Sequence, residues 1–483
     1  MSAPNDKKKS ANASDYRLPA GSGWASAWKI AAGVGVVGLG AAGAGWSMDP
    51  KRFAYSYLFA FFLVLTLALG SMFFILVERL TKASWSISVR RTAEFFAAAS
   101  PVFIVLFIPV VLSMTTLYPW LSHGEGIEPT AHAQAAPPSP PPQGGPQHQV
   151  TMTPPGGPGG PRGPMGHPGG GPGAHPGGPQ HLQLPGIVPG AHTSDKGEDP
   201  EEAADAEAVN KKRPWLNRNG WLARAAIYFI AWAWIGLTFF RLSTSQDGTK
   251  DPKLTLKAES LAPISTILFG FTLTGAAFDW LMSLLPTWYS TMFGVTIFAG
   301  SVVVMYATMI LVTMSLRSSG HLKESISVEH FHDMGKLLFG FLVFWGYVSF
   351  AQFMLIWYAA IPEETTFFHH RWDVGPWMYV TLGIVLSGFV VPFFILISRN
   401  VKRRLWALAI GATWLIVMHV VEMYWQVLPY FGAGDTTISW IDLACLFGVA
   451  GAYLAVVFFR MTKYPLIPIG DPRLSRSLTF ENV

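Results

Sequence analysis

The sequence predicts an all-α polytopic membrane protein with about ten transmembrane helices, and three observations carry that reading. Hydrophobic residues make up 51% of the chain and charged residues 13%, about half the charge of an ordinary soluble domain. Apolar runs with few charged residues recur along the chain, most of them long enough at about 1.5 Å per residue to cross roughly 30 Å of hydrocarbon. The lysines and arginines between the runs fall unequally on alternate loops, as they do in chains that thread a membrane many times.

Residues 1–23 are polar and expected to be disordered, and Lys7, Lys8 and Lys9 are followed by no compact apolar core of the signal-peptide kind. Three spans are expected within 24–119. The first, 24–46, is rich in Gly and Ala, whose small side chains suit close helix packing. The next two, 53–80 and 92–118, are joined by a loop carrying Lys82, Arg90 and Arg91. Pro101 and Pro109 should kink the third, which membrane helices tolerate where neighbours satisfy the freed carbonyls.

Across 120–214 the composition turns Pro/Gly-rich, with seven of the thirteen histidines and an acidic run from Glu198 to Glu207. Such a segment buries too little apolar surface to fold alone, so a disordered insertion is expected. Its histidines do not recur at metal-ligand spacing, which favours a solvated loop over a metal-scavenging tract. Apolar runs resume within 215–460, at 220–240, 260–284, 290–316, 337–360, 374–398, 404–426 and 437–459, and 461–483 form a C-terminal tail.

With the N-terminus inside, the inward-facing short segments carry Arg79, Lys82, Arg90, Arg91, Lys250, Lys253, Arg317, Arg399, Arg403, Arg460 and Lys463 among others. The outward short loops carry only Lys51, Arg52 and Arg371. Both termini are therefore expected in the cytoplasm and the insertion on the periplasmic side. Basic residues placed this way report orientation, so the net charge of +5 gives no reason to expect a nucleic-acid partner; lipid is the medium. One cysteine, Cys445, allows no intramolecular disulfide, no Cys-ligated iron–sulfur cluster and no CxxCH haem attachment. His419 is the one histidine well inside a span, which argues against a haem held by two histidines.

Ionisable residues inside spans are costly and therefore candidates for function. On the expected topology Asp279 lies near the outer end of the fifth span, His419 and Glu422 near that of the ninth, and Asp442 just inside that of the tenth. His419 and Glu422 are three apart, on one helix face. No Lys or Arg is seen in those helix ends, so Asp279, His419 and Glu422 are expected to form one polar cluster able to relay protons. Glu78, Glu94, Asp333, Lys336 and Asp442 are the remaining proton-path candidates. Structural pairing competes at the inner positions, because Glu94 can reach Arg90 or Arg91 and Asp333 stands three residues before Lys336. The run 337–360 is uncharged over about 36 Å; Glu329, His330, His332, Asp333 and Lys336 crowd one mouth, Trp357, Tyr358, Glu363 and Glu364 the other, and Gln352 lies between.

At FDWLMSLLPTWYSTMFG (278–294), EHFHDMGKLLFGFLVFW (329–345) and FMLIWYAAIPEE (353–364) the chain resembles the second NrfD/PsrC-like membrane subunit of bacterial alternative complex III, often called ActF. Residues 55–94 look like the opening of the same family; the 120–214 insertion is not part of its pattern. The resemblance implies two four-helix bundles, spans two to five and six to nine, with spans one and ten peripheral. It implies a subunit of a quinol:cytochrome c oxidoreductase in the bacterial inner membrane, without catalytic residues or covalently bound cofactors of its own. Haem and iron–sulfur clusters would sit on partners: an NrfD-like paralogue, an iron–sulfur subunit, and multihaem and monohaem cytochrome c subunits. Asp279, His419 and Glu422 would then contact quinone or menaquinone, or form a proton exit, and Phe339, Trp345, Met354 and Trp357 would either line a quinone pocket or face lipid. A stand-alone ion-coupled transporter and a purely structural scaffold remain alternatives. The orientation is checked with Ser139→Cys, which a membrane-impermeant thiol reagent should label in intact spheroplasts; labelling only after lysis would reverse it.

Overall fold

The computed structural model describes residues 16–121, 200–373, 375–432 and 434–481, and among these it contains helices and no strand. Among the described residues ten helical segments are long and apolar enough to span a membrane: Gly23–Met48, Pro50–Thr81, Ile87–Leu112, Arg218–Thr249, Pro252–Leu284, Phe293–Ser318, Val328–Ala359, Trp377–Leu396, Leu405–Tyr430 and Trp440–Lys463 (spans 1 to 10). The protein is an all-α polytopic membrane protein.

Local sequence sets the helix ends. Asp49 accepts from the Arg52 N–H ahead of Pro50, Asn217 accepts from Gly220, and Asp251 precedes Pro252, so the first turns of spans 2, 4 and 5 are capped. Span 3 is interrupted just before Val102, at Pro101, and again at Phe107, two residues before Pro109. Neighbouring hydroxyls meet carbonyls around the breaks: Tyr453 donates to Phe96 (2.7 Å), Tyr57 to Leu106 (2.9 Å) and Ser100 to Trp232 (3.3 Å).

Spans 2, 3, 4 and 5 pack as one ring and spans 6, 7, 8 and 9 as a second, the two meeting where span 2 lies against span 6. That partition is the one the resemblance implies. At the seam a Cβ on Gly70 would stand 2.2 Å from the Ser301 carbonyl, so only glycine permits the approach. Spans 1 and 10 pair outside the rings, backbone against backbone: a Cβ on Gly38 would stand 2.4 Å from the Gly448 nitrogen. The weakly hydrophobic first span is thus explained by contact with span 10.

Both ends of the described chain lie on one face, where the Leu466 N–H donates to the Tyr16 carbonyl at 2.9 Å. Here the tail after Lys463 is fastened to the rings. Arg90, fully buried, binds Glu94 (2.9 Å) and Glu78 (3.1 Å) and, from the tail, Asp471 (2.9 Å). Arg91 pairs with Glu94 (3.0 Å) and Asp247 (2.9 Å). Ser477 donates to the Trp85 carbonyl and contacts Ser88, and Gly470 sits where a Cβ would lie 1.9 Å from the Gln246 carbonyl.

Residues 122–199, most of the expected insertion, lie outside the described residues, as do residues 1–15. At its edges the expectation of disorder over 120–214 is corrected. Trp120 is buried, Pro200–Lys212 is a helix, and Lys212 donates to the Pro286, Thr287 and Trp288 carbonyls. A lysine beside exposed carbonyls supplies three donors, enough to hold that end without an apolar core.

Burial alone would raise the Asp471 carboxyl, but Arg90, the Arg473 N–H and Arg79 outweigh it and hold it below its ordinary value. A depressed carboxyl adds stability above its unfolded value of about 3.9, and this is lost as pH falls through the folded value. Asp471→Asn should lower stability by about 1.5–3 kcal/mol, since Arg90 keeps Glu94 and Glu78 but loses its charged partner in the tail. Limited proteolysis should then open the tail at Arg476, and in the unaltered protein it should do so only in strong acid.

Candidate functional site

The ionisable residues of the spans fall into four groups, three of them closed by cations. Asp279 accepts from Arg224 at 2.7 and 2.9 Å, Trp215 at 2.9 Å and Tyr228 at 2.8 Å, and the Arg224 guanidinium lies 4.1 Å from the Trp215 ring. All four of its acceptor positions are taken. Asp442, in the first turn of span 10, accepts from Arg52 (3.1 Å), Ser56, Tyr424 (3.3 Å) and the Ser439 N–H (2.8 Å). The expectation that no Lys or Arg neutralises these helix ends is therefore wrong for both. The arginines come from spans 4 and 2, far away in sequence.

On the termini face Glu78 and Glu94 belong to the arginine network described above, Asp333 binds Lys336 at 2.6 Å, and Glu329 pairs with Arg403. His330 completes a capping box with Ser327 at the start of span 7. Structural pairing thus accounts for the geometry at these positions.

The fourth group differs. His419 and Glu422 are buried in span 9, with His419 about 21 Å along the helix from Leu405. His419 Nδ1 meets Glu422 Oε2 at 2.9 Å, and the Trp345 indole of span 7 donates to Glu422 Oε1 at 2.7 Å. His419 Nε2 lies 3.1 Å from the Thr66 hydroxyl of span 2. Among the described residues no lysine or arginine is paired with either. Asp279 shares no partner with them and belongs to the other ring, so the single cluster of Asp279, His419 and Glu422 is corrected to two sites.

Protons are assigned to this pair from its hydrogen-bond partners. Thr66 Oγ1 lies 2.5 Å from the Leu63 carbonyl, so its one hydrogen is committed there. His419 Nε2 must then be the donor to Thr66. With Nε2 protonated, the 2.9 Å contact between Nδ1 and Oε2 holds exactly one further proton, as neutral imidazole with carboxylic acid or as imidazolium with carboxylate. Either way the pair is electroneutral, which is what an apolar interior without a cation demands.

The pair opens on a cavity with a free interior of about 20 Å³, lined by Gly300, Val303, Leu342, Trp345, Ile384, Gly388, Leu415 and Met418. That is room for about one water molecule. A Cβ on Gly300 would stand 3.1 Å from the imidazole and 3.3 Å from the carboxylate, so the glycine brings span 6 up to the pair. Of the four aromatic and methionine candidates only Trp345 reaches this cavity. Phe339 packs on Phe393, and Met354 and Trp357 are 40% and 49% exposed toward the lipid side.

No protein-family model and no curated protein matches the chain. The site stands on its own geometry. Among the described residues no group of three or more His, Cys, Asp or Glu side chains could hold a metal ion.

Arg224 and Arg371 are among the residues that escape the sequence reading. Arg224 lies inside the run 220–240, and an arginine within an apolar run is itself the signal that a carboxylate faces it. Arg371, read as a loop charge, is fully buried and donates to the Phe367, Trp425 and Gln426 carbonyls, which fixes the end of span 9 one turn beyond Glu422. No pattern within the neighbouring residues announces that role. Arg224→Met should destabilise the protein by about 3–5 kcal/mol because Asp279 stays buried without its cation, against about 1 kcal/mol for Tyr228→Phe. Thermal unfolding in detergent measures both.

Proposed function

We propose that this chain is an integral membrane subunit of a quinol-oxidising respiratory complex of the alternative complex III type, and that its own contribution is proton transfer through His419 and Glu422. The observation that carries the proton role is the buried His419–Glu422 hydrogen bond, with no lysine or arginine partner among the described residues, beside a water-sized cavity. Oxidation of a quinol releases two protons, and an imidazole joined to a carboxyl can take up one and release another without leaving a net charge.

The respiratory setting rests on the sequence resemblance and on the two-ring arrangement of the spans. On this reading haem and iron–sulfur centres belong to partner subunits, quinone is met at the complex, and the termini face is cytoplasmic. The ion-coupled transporter is less well supported. Its broken helices fall in matched places in two halves, whereas here the interruptions are in span 3, the second of its ring, and span 8, the third of its ring. A pure scaffold gives no reason to leave one pair in the bundle without a cation.

Glu422→Gln tests the reading, because it keeps volume and hydrogen bonding while removing the exchangeable carboxyl proton. Infrared spectroscopy of the purified chain should show a Glu422 band that disappears in the variant, a deuterium-sensitive carboxyl stretch for the acid form or a carboxylate stretch for the ion-pair form. In the assembled complex quinol turnover should fall about a hundredfold, the usual weight of a positioned acid–base group. A variant that assembles and turns over at the unaltered rate with unchanged proton release would overturn the proposal.

A further inference from the structure

The arginines of the termini-face network, Arg79, Arg90, Arg91 and Arg473, all stand against carboxylates. Arg241 of span 4 and Arg460 of span 10 do not. Among the described residues neither forms an ion pair or donates a hydrogen bond. The titratable groups that act on Arg460 are Arg241 and Tyr464, and Arg241 acts by repulsion, so two like charges from different spans stand close together.

Packing holds them there. Spans 4 and 10 both lie on span 3: Tyr453 of span 10 donates to the Phe96 carbonyl at 2.7 Å, and a Cβ on Gly236 of span 4 would stand 2.3 Å from the Ala97 carbonyl. Toward the termini face Phe240 meets Tyr464 edge to face at 5.0 Å, and the Arg460 guanidinium lies 5.5 Å from the Phe240 ring. Arg460 Nε is enclosed by protein without an acceptor, while the terminal nitrogens stay accessible. The macrodipole of span 10 accounts for a cation at Arg460, which falls in its last turn with Lys463. It gives no reason for a second one beside it from Arg241, well before the end of its own helix at Thr249. Arg241 also ends an apolar stripe. Ile227, Ile230 and Trp234 precede it at helical spacing on one face of span 4, and they are 55%, 67% and 40% exposed.

We propose that Arg241 and Arg460 bind the phosphodiester of an anionic membrane phospholipid, whose acyl chains lie along Ile227, Ile230 and Trp234. Guanidinium groups present paired N–H donors that match phosphate oxygens. A basic pocket between spans at headgroup level, with apolar surface leading away from it, has the chemistry of such a lipid. A glycerol headgroup leaves the phosphate charge uncompensated, whereas a choline headgroup carries its own cation, which two guanidiniums repel. Free phosphate shares the oxygens but leaves the apolar stripe unused. The site shares no residue with His419 and Glu422 and is independent of the proton role.

The test uses the full chain in neutral detergent, with dioctanoyl phosphatidylglycerol, dioctanoyl phosphatidylcholine and inorganic phosphate as probes, and native mass spectrometry to count bound molecules across a titration. Phosphatidylglycerol should bind about thirtyfold more tightly than phosphatidylcholine, at about fivefold per arginine. Arg241→Gln and Arg460→Gln should each weaken phosphatidylglycerol about fivefold and leave phosphatidylcholine unchanged. Lys323→Gln, which removes an exposed charge from the loop between spans 6 and 7, should change neither. Equal binding of the two lipids, or phosphatidylglycerol affinity unaltered in both arginine variants, overturns the site. So does an equal loss in Lys323→Gln, which would mean surface charge at large. Inorganic phosphate that binds as tightly as phosphatidylglycerol, and depends on the same arginines, overturns the lipid in favour of a free anion. Should Arg460→Gln not fold, Arg241→Gln, at an exposed position, decides alone.

Discussion

An ionised group in hydrocarbon must be neutralised by something close to it, and most of this structure is arranged around that demand. Arg90 shows how far the demand reaches. It is fully buried, and its three carboxylates come from span 2, from its own helix and from the C-terminal tail. Satisfying one guanidinium therefore fixes how spans 2 and 3 meet and where the tail lies. Asp279 with Arg224 does the same for spans 4 and 5, and Asp442 with Arg52 joins span 10 to span 2. Buried ion pairs of this kind are weak evidence for net stability. Their effect here is on register, because each requires two helices to stand at one relative height.

His419 and Glu422 meet the same demand by a different route. They are neutralised by sharing a proton, and a shared proton can leave whereas an arginine cannot. Thr66 ties the pair to the first ring and Trp345 ties it to span 7, so it sits at the junction of the two rings, with Gly300 allowing span 6 to close over it. The site is therefore built by the same packing that joins the rings at Gly70.

The spans were legible because composition and length decide them, and the pairs within one helix were legible because spacing decides them: Glu94 with Arg90, Asp333 with Lys336, His419 with Glu422. Partners from different helices were not. Asp279 and Arg224 are 55 residues apart and Asp442 and Arg52 are 390 apart, and no periodicity links such positions. Arg52 was read as a loop charge reporting orientation when it is also an ion-pair partner. The division into rings came from family resemblance, since hydropathy has no signal for which helix faces which. The irregularity of span 8, π-helical over Ile384–Val390, was hidden for a related reason. Pro392 marks a broken hydrogen-bond pattern, but that the break would become a π-turn whose Ser387 carbonyl is capped by Trp414 depends on a neighbour from another span.

Neutrality also constrains how a proton can move. Adding a proton to the pair, or removing one, leaves a net charge in a cavity with no cation or second carboxylate to balance it. In such surroundings the charged intermediate is unfavourable by several kcal/mol. Arrival and departure are then easiest when nearly simultaneous, one proton entering at the carboxyl as another leaves from imidazole Nε2 toward Thr66. Thr66 can accept from Nε2, but its own hydrogen points to Leu63, so onward transfer requires the hydroxyl to turn. A single water beside Glu422 would supply the incoming proton, and the cavity has space for about one. On the proposed reading the cation-free pair stays neutral at rest, and what reaches the cavity beside it would decide when its proton moves.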